Sequence, residues 1–263
     1  MDETASAGRV LLRREGGVAR VTLSHPGRLN AITVAMWREL RAVFEALSVD
    51  EGVRCVVVQG ADGQFAAGAD IREFPAERGS YEGVVRYHTE IIAPALRAVA
   101  GCPHPVLASI AGACVGGGLE IACLCDLRIA ERGARFGVPI NRLGFPMAPH
   151  EMRGLLALAG KAATLEILLE GRVFDAAEAL AKGLLTRVAE PGRLDDETGR
   201  CVARILNGAP GAARLNKRIL ARLEAGPVGP ADWPALFSYA ESRDHREGVR
   251  AFLAGEDPVF RGE

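Results

Sequence analysis

The sequence predicts an α/β fold followed by a helical C-terminal region, and three observations carry that prediction. In the first half of the chain, short β-forming apolar runs recur, and glycine-bearing loops and helix-like segments follow them. From about Met147 onward, helix-like segments follow one another, separated by Gly and Pro. A length of 263 residues with 49% hydrophobic and 25% charged residues is sufficient for one large core.

The first part of the chain predicts a hairpin, a helix and a buried strand. β-forming residues at 10–13 and 18–24 flank Gly16-Gly17, a pair that favours a tight turn. Thr33 can cap a helix that extends to about residue 47, because apolar side chains recur there at helical spacing. Residues 55–59 have the length and composition of a buried strand.

The middle of the chain combines strands, loops and helices in the same way. A polar helix-like stretch covers about residues 81–100, and Pro103-His104-Pro105 must end it, since proline cannot continue a helix. Residues 106–110 and 127–130 are predicted strands. Between them, a glycine run at 116–118 precedes an apolar helical run at 119–124.

The second half of the chain is predicted to be mainly helical. The predicted helices cover residues 155–169, 176–182, 194–207, 212–224 and 232–253. Apolar residues on the last of them, including Phe252 and Leu253, could belong to the core or pack against another subunit.

Charge and apolar patterning exclude several classes of protein. A formal net charge of -1 gives no basic surface for a nucleic acid. Residues 1–8 carry acids where a secretory signal would carry positive charge, and Glu120 interrupts the apolar stretch at 110–125, so neither a signal peptide nor a membrane span is expected. We therefore expect a soluble, cytoplasmic protein with no membrane partner. The six cysteines form no C-x-x-C pair, which predicts buried thiols rather than a metal site.

Two glycine-bearing segments, at 65–71 and 115–120, are the strongest indication of function. Each is predicted to form a turn, and small residues allow backbone N–H groups to approach a ligand closely. Two such groups can stabilise the negative charge that develops on a thioester oxygen, so the pair is typical of an oxyanion hole. Glu120 would then be the first candidate acid or base. The alternatives are ordinary tight turns and an acid that only complements a helix dipole.

Several motifs in a fixed order make the whole chain resemble the enoyl-CoA hydratase/isomerase family, also called the crotonase superfamily. Those motifs lie at 25–32, 65–71, 111–126, 136–139, 144–146 and 242–253. The resemblance implies a crotonase-like spiral of ββα units over 1–195, which would hold an acyl-CoA site. It also implies a helical oligomerisation region over 196–263 that builds homotrimers or hexamers. The implied ligand is an acyl-CoA thioester, with coenzyme A as part of the substrate and no other cofactor and no metal.

The resemblance also assigns roles to individual residues. The N–H groups of Ala69 and Gly117 would hold the thioester oxygen, beside Glu120 as the retained carboxylate. Arg28 could meet a CoA phosphate. The remaining residues expected to border the substrate are Leu29, Ala66, Ala67, Asp70, Ile71, Gly116 and Ile140.

One departure from the family pattern leaves the reaction open. Family hydratases carry a second glutamate directly after the Phe-Gly-x-Pro segment, and this chain has Ile140 there. An aliphatic side chain cannot activate water, so we expect weak hydration of crotonyl-CoA unless His150, Glu151 or an ordered water replaces the missing group. Adjacent residues at a helix start point in different directions, so only one of these two can face the pocket. His88 is expected at the rim of the pocket or in solvent.

Two other reactions are possible with a single carboxylate. Isomerisation of a double bond needs one base, although family isomerases often carry the carboxylate that acts as this base at the position of Ile140. Decarboxylation of a malonyl-type thioester depends mainly on the oxyanion hole. A protein that binds CoA without catalysis is the alternative from another class.

Overall fold

A computed structural model describes residues 7–263, and the prediction about a secretory signal falls mostly outside them. The strands are β1 (Arg9–Glu15), β2 (Val18–Ser24), β3 (Cys55–Gly60), β4 (Val106–Ile110), β5 (Ala113–Val115), β6 (Leu127–Glu131), β7 (Arg135–Gly137), β8 (Phe174–Asp175) and β9 (Arg187–Ala189). The predicted α/β class is confirmed.

The helices lie between and after these strands. Their bounds are α1 (Val34–Ser48), α2 (Phe74–Glu77, preceded by a 3₁₀ turn at Ile71–Glu73), α3 (Tyr81–Arg86), α4 (Ala93–Ala100), α5 (Gly117–Leu124), α6 (Pro149–Glu170), α7 (Ala176–Ala181), α8 (Leu194–Leu206), α9 (Pro210–Glu224), α10 (Trp233–Leu236) and α11 (Arg243–Ala254). A π-helical turn at Tyr87–Ile92 joins α3 to α4. Thr33 caps α1 as predicted, since its side chain accepts a hydrogen bond from the N–H of Met36 at 3.2 Å.

A six-stranded sheet in the order β1-β2-β3-β4-β6-β9 forms the centre of the fold. The β1–β2 hairpin is antiparallel, and the other pairs are parallel. Alternate residues of β3 serve different cores: Val56 and Val58 pack into the main core, whereas Cys55 and Val57 join the core beneath α8. Apolar residues on both faces explain why the central strands carry almost continuous apolar runs.

The smaller sheet, in the order β5-β7-β8, lies next to the predicted glycine turn. It was missed because its strands have only two or three residues, too few for a period to be visible. The glycine run therefore follows β5 rather than β4, and β5 pairs in parallel with β7.

Two predicted helices were wrong in their extent. The segment at 232–253 is not one helix: α10 ends at Leu236, and Ser242 caps a separate helix, α11. Helix α6 begins at Pro149 instead of residue 155, and its backbone departs from helical geometry at Gly160, where φ is 69°. The earlier start matters for the site, because it puts Glu151 in the first turn of α6.

The C-terminal helices leave apolar side chains in solvent. Phe252 and Leu253 on α11 are 85% and 81% exposed, so they do not belong to the core of the isolated chain. The division at residues 195 and 196 stays a prediction, and it falls inside α8, whose Cys201 and Val202 pack beneath the main sheet.

All six cysteines are buried free thiols. Across residues 7–263, no helix combines the length and the apolar run needed to cross a bilayer.

Candidate active site

The two glycine-bearing segments lie side by side. The N–H of Ala66 donates to the carbonyl of Ala113 at 2.8 Å, and the N–H of Val115 donates back to the carbonyl of Ala66 at 3.0 Å. A third bond joins the N–H of Phe65 to the carbonyl of Ala111 at 2.8 Å. These bonds fix the first segment against β5, so the two turns are held as one unit.

Glycine is required where the segments meet. A Cβ on Gly118 would lie 2.4 Å from the carbonyl oxygen of Ala66, a backbone atom that cannot rotate away. Gly68 has φ of 100° and Gly116 has φ of 50°, values that glycine adopts without steric cost. The glycines therefore allow both a left-handed turn and a close backbone approach.

Two backbone N–H groups remain available at this junction. Within residues 7–263, neither the N–H of Ala69 nor that of Gly117 has a hydrogen-bond acceptor. Both residues line the same cavity. Gly117 is the first residue of α5, so its N–H also lies at the positive end of the helix dipole. The pair has the chemistry expected of a site for a developing oxyanion.

Asn30 supports the loop that leads into the first glycine segment. Its side-chain amide donates to the carbonyls of Ala61 and Gln64 at 2.9 and 2.7 Å, and its Oδ1 accepts the N–H of His25 at 2.9 Å. Asn30 belongs to the motif at 25–32, but the sequence assigned no role to Asn30 itself. With a relative exposure of 2% and every side-chain polar atom bonded, it fixes the loop that carries Ala66.

The cavity has a volume of 100 Å³ and is lined mostly by apolar side chains. Its lining includes Trp37, Phe74, Tyr87, Ile140 and Phe145, together with the glycine turns. Glu120 and Glu151 are the carboxylates that line it. Glu151, one of the two residues that the sequence offered for the missing group, therefore shares the cavity with Glu120, because α6 begins early enough to bring it there.

Burial changes the acidity of Glu120. Its carboxyl is almost fully enclosed, and loss of hydration raises its pKa well above the usual range. The nearby charge of Glu151 raises that pKa further. Both effects favour the protonated form of Glu120, which is the form that can act as a general acid.

Glu151 has a partner of its own. Nδ1 of His88 lies 2.5 Å from Oε1 of Glu151, and the ring donates when the carboxylate is ionised. His88 comes from the π-helical turn, and both side chains are mostly buried. The prediction that only one of His150 and Glu151 can face the pocket is confirmed, because Glu151 lines it and His150 is exposed. His88 also lines the cavity, so the alternative that placed it in solvent was wrong.

The other predicted site residues separate into two groups. Ala67, Ile71, Gly116 and Ile140 line the cavity. Arg28, Leu29, Ala66 and Asp70 do not line it. Arg28 and Leu29 are exposed, and Ala66 is fully buried. The Asp70 carboxylate pairs with Arg72, whose hydrogen bond lowers the pKa of that carboxyl. The roles of all eight residues stay predictions.

Glu120→Gln is expected to make stability less dependent on pH. A carboxyl whose native pKa is raised above its unfolded value of 4.5 stabilises the fold fully only below that value, and its contribution is lost as the pH rises towards the native pKa. Wild type should therefore lose free energy of unfolding relative to Glu120→Gln as the pH rises above about 4.5. Urea unfolding across this range measures the difference, and parallel profiles would show that Glu120 is not held protonated.

Comparison with known proteins is consistent with this arrangement. A family model described as enoyl-CoA hydratase/isomerase matches residues 13–263. A short-chain-enoyl-CoA hydratase of Clostridium acetobutylicum is 34% identical over 93% of this chain and 94% of its own length. Among solved structures, an enoyl-CoA hydratase/carnithine racemase from Magnetospirillum magneticum has a TM-score of 0.94 and 44% identity, covering 98% of this chain and 97% of that one. An enoyl-CoA hydratase from Bacillus anthracis has a TM-score of 0.87 and 26% identity, with 97% and 100% covered.

Proposed function

The chain belongs to the enoyl-CoA hydratase/isomerase family, and from this premise we propose that it adds water to the C2=C3 bond of 2-enoyl-CoA thioesters. The single observation that carries the proposal is Glu151, a second carboxylate in the cavity of Glu120. It supplies, from another element, the group that is missing at Ile140.

Environment assigns the two carboxylates different tasks. Glu151, which accepts a hydrogen bond from His88, acts as the base that removes a proton from water as its oxygen attacks C3. Glu120, whose raised pKa keeps it protonated, delivers its proton to C2. A proton then returns from Glu151 to Glu120, and the sum of the steps is the addition of one water. The same steps in reverse remove water from a 3-hydroxyacyl thioester.

The proposed role of the glycine turns is to lower the barrier of this addition. Attack at C3 places negative charge on the thioester oxygen, and the N–H groups of Ala69 and Gly117 would receive it. One preorganised donor of this kind typically contributes about 3 kcal/mol to transition-state stabilisation. The substrate carries its own coenzyme A, so the proposal requires no other cofactor.

Isomerisation is the second candidate, and Ile140 is the observation that favours it. An apolar side chain beside Glu120 leaves one wall of the cavity without a group that could hold a water. The C3=C4 bond of a 3-enoyl thioester could then become C2=C3, with Glu120 or Glu151 removing a proton from C2 and returning it to C4. The same oxyanion site would serve both reactions.

Turnover in ¹⁸O-labelled water separates these reactions. We expect short 2-enoyl-CoA thioesters to gain one labelled oxygen, detected by mass, together with loss of the absorbance of the conjugated thioester. Conversion of 3-enoyl-CoA without label would favour isomerisation, and loss of CO₂ from malonyl-CoA would favour decarboxylation. Binding of CoA thioesters without any product would indicate a binding protein and would overturn the proposal.

A further inference from the structure

The cavity also contains an arginine that the proposed reaction does not use. Arg78 follows α2 and lines the same space as Glu120 and Glu151. Its guanidinium lies over the ring of Phe74 at 4.4 Å and over the ring of Phe145 at 4.0 Å. These rings hold the cation by its faces and leave its N–H edges available for hydrogen bonds.

Arg78 differs from the neighbouring arginines in having no protein anion. Arg72 pairs with Asp70, and Arg86 pairs with Glu77 at 2.8 Å. For Arg78, residues 7–263 provide neither a carboxylate within 4.0 Å nor an acceptor for its side-chain N–H groups.

The two carboxylates that line the cavity, and Glu73 in the 3₁₀ turn before α2, do not pair with this cation. Glu73 accepts the N–H of Val34 at 2.7 Å, and Glu151 accepts from His88. Burial favours the uncharged form of Glu120. A half-buried guanidinium without a counter-ion is costly, so an anionic ligand would satisfy both its charge and its donors.

A second polar group without a partner belongs to an aromatic side chain close to Arg78. The hydroxyl of Tyr87 is buried, and it has no hydrogen-bond partner within the described part of the chain. Tyr87 lines the cavity, and its ring centre is 5.6 Å from Cζ of Arg78. A buried hydroxyl usually has a partner, so this one is a donor available to a ligand.

We propose that Arg78 and the Tyr87 hydroxyl bind a carboxylate on the acyl group, so that the preferred substrates are 2-enoyl-CoA thioesters of dicarboxylic acids. This inference rests on the proposed function, because it assigns the substrate of the same cavity. Arginine matches a carboxylate with two parallel hydrogen bonds, and the hydroxyl adds a third. A phosphate of coenzyme A has the same chemistry and is the other source of such an anion.

The test compares glutaconyl-CoA, which ends in a carboxylate, with trans-2-hexenoyl-CoA, which has a similar length without the charge. Wild type is expected to hydrate glutaconyl-CoA with the higher kcat/KM. Arg78→Met should lower kcat/KM for glutaconyl-CoA by about 10- to 100-fold more than for hexenoyl-CoA, as loss of a hydrogen bond to a charged group does. Tyr87→Phe should produce a smaller loss with the same selectivity, and Arg78→Lys should recover part of the activity.

Truncated substrates separate the two sources of the anion. N-acetylcysteamine thioesters of the same acids have no phosphate. The selective loss of kcat/KM for the dicarboxylic acid in Arg78→Met should therefore persist with them. Arg78→Met could instead lower kcat/KM equally for both CoA thioesters and have no effect on the truncated ones. That result would assign Arg78 to a CoA phosphate and overturn the inference. Arg86→Met, at an exposed arginine paired with Glu77, is the matched control, and thermal unfolding of each variant checks the fold.

Hydration of hexenoyl-CoA with no preference for glutaconyl-CoA and no effect of Arg78→Met would overturn the substrate assignment and leave the proposed function intact. Failure of wild type to hydrate either thioester would instead contradict the proposed function.

Discussion

Glu151→Gln is expected to lower kcat for hydration by about 10²- to 10⁴-fold, the usual effect of removing a general acid or base. Glutamine preserves the shape of the side chain but cannot remove a proton from water. Because His88 can still bond to the amide oxygen, the first turn of α6 should keep its structure. Stopped-flow loss of conjugated-thioester absorbance under saturating substrate measures kcat directly.

The neighbouring residue provides the control for this variant. His150→Ala changes the preceding residue of the same helical turn, but its side chain is exposed and should leave kcat at the wild-type value. Glu120→Gln should lower kcat by as much as Glu151→Gln does. The double variant should lower kcat little further, since two groups that exchange one proton act as a unit. If Glu151→Gln hydrated the substrate with the wild-type kcat, Glu151 would have no part in the mechanism, and Glu120 would be the only carboxylate in the reaction.

The sequence predicted the two glycine turns because their information is local. Small residues at 66–69 and glycines at 116–118 reflect what the backbone must do at those positions, so their pattern identifies the turns before any contact is known. The hairpin, α1 and the central strands were predictable for the same reason, since each depends on a period or a cap within one segment.

The second carboxylate could not be assigned in the same way. Glu151 reaches the cavity because α6 begins at Pro149, and its partner His88 lies 63 positions earlier in the chain. No local pattern encodes that distance. The π-helical turn at Tyr87–Ile92 also lacks a sequence signature, although it carries three of the side chains that line the cavity. Such turns often occur at functional sites, where they redirect side chains from regular helical spacing.

Gly118→Ala is expected to lower kcat by about 10²- to 10³-fold while leaving both carboxylates in place. The added Cβ would lie 2.4 Å from the carbonyl oxygen of Ala66, which must then move. That carbonyl accepts the N–H of Val115, the bond that joins the two glycine segments. Because Ala69 and Gly117 lie on opposite sides of this junction, a shift of a few tenths of an ångström would separate their N–H groups.

Gly199→Ala is the matched control for this variant, because it adds the same methyl group inside α8, where it meets no atom within 4 Å. It should keep full activity and raise the free energy of unfolding by about 0.5 to 1 kcal/mol. Strain in Gly118→Ala should instead lower that energy by about 1 to 3 kcal/mol. Full activity of Gly118→Ala at 25 °C would show that catalysis does not depend on the close contact between the two turns. A variant that stays folded, binds the thioester and turns over slowly would place the loss in the transition state, where an oxyanion site acts.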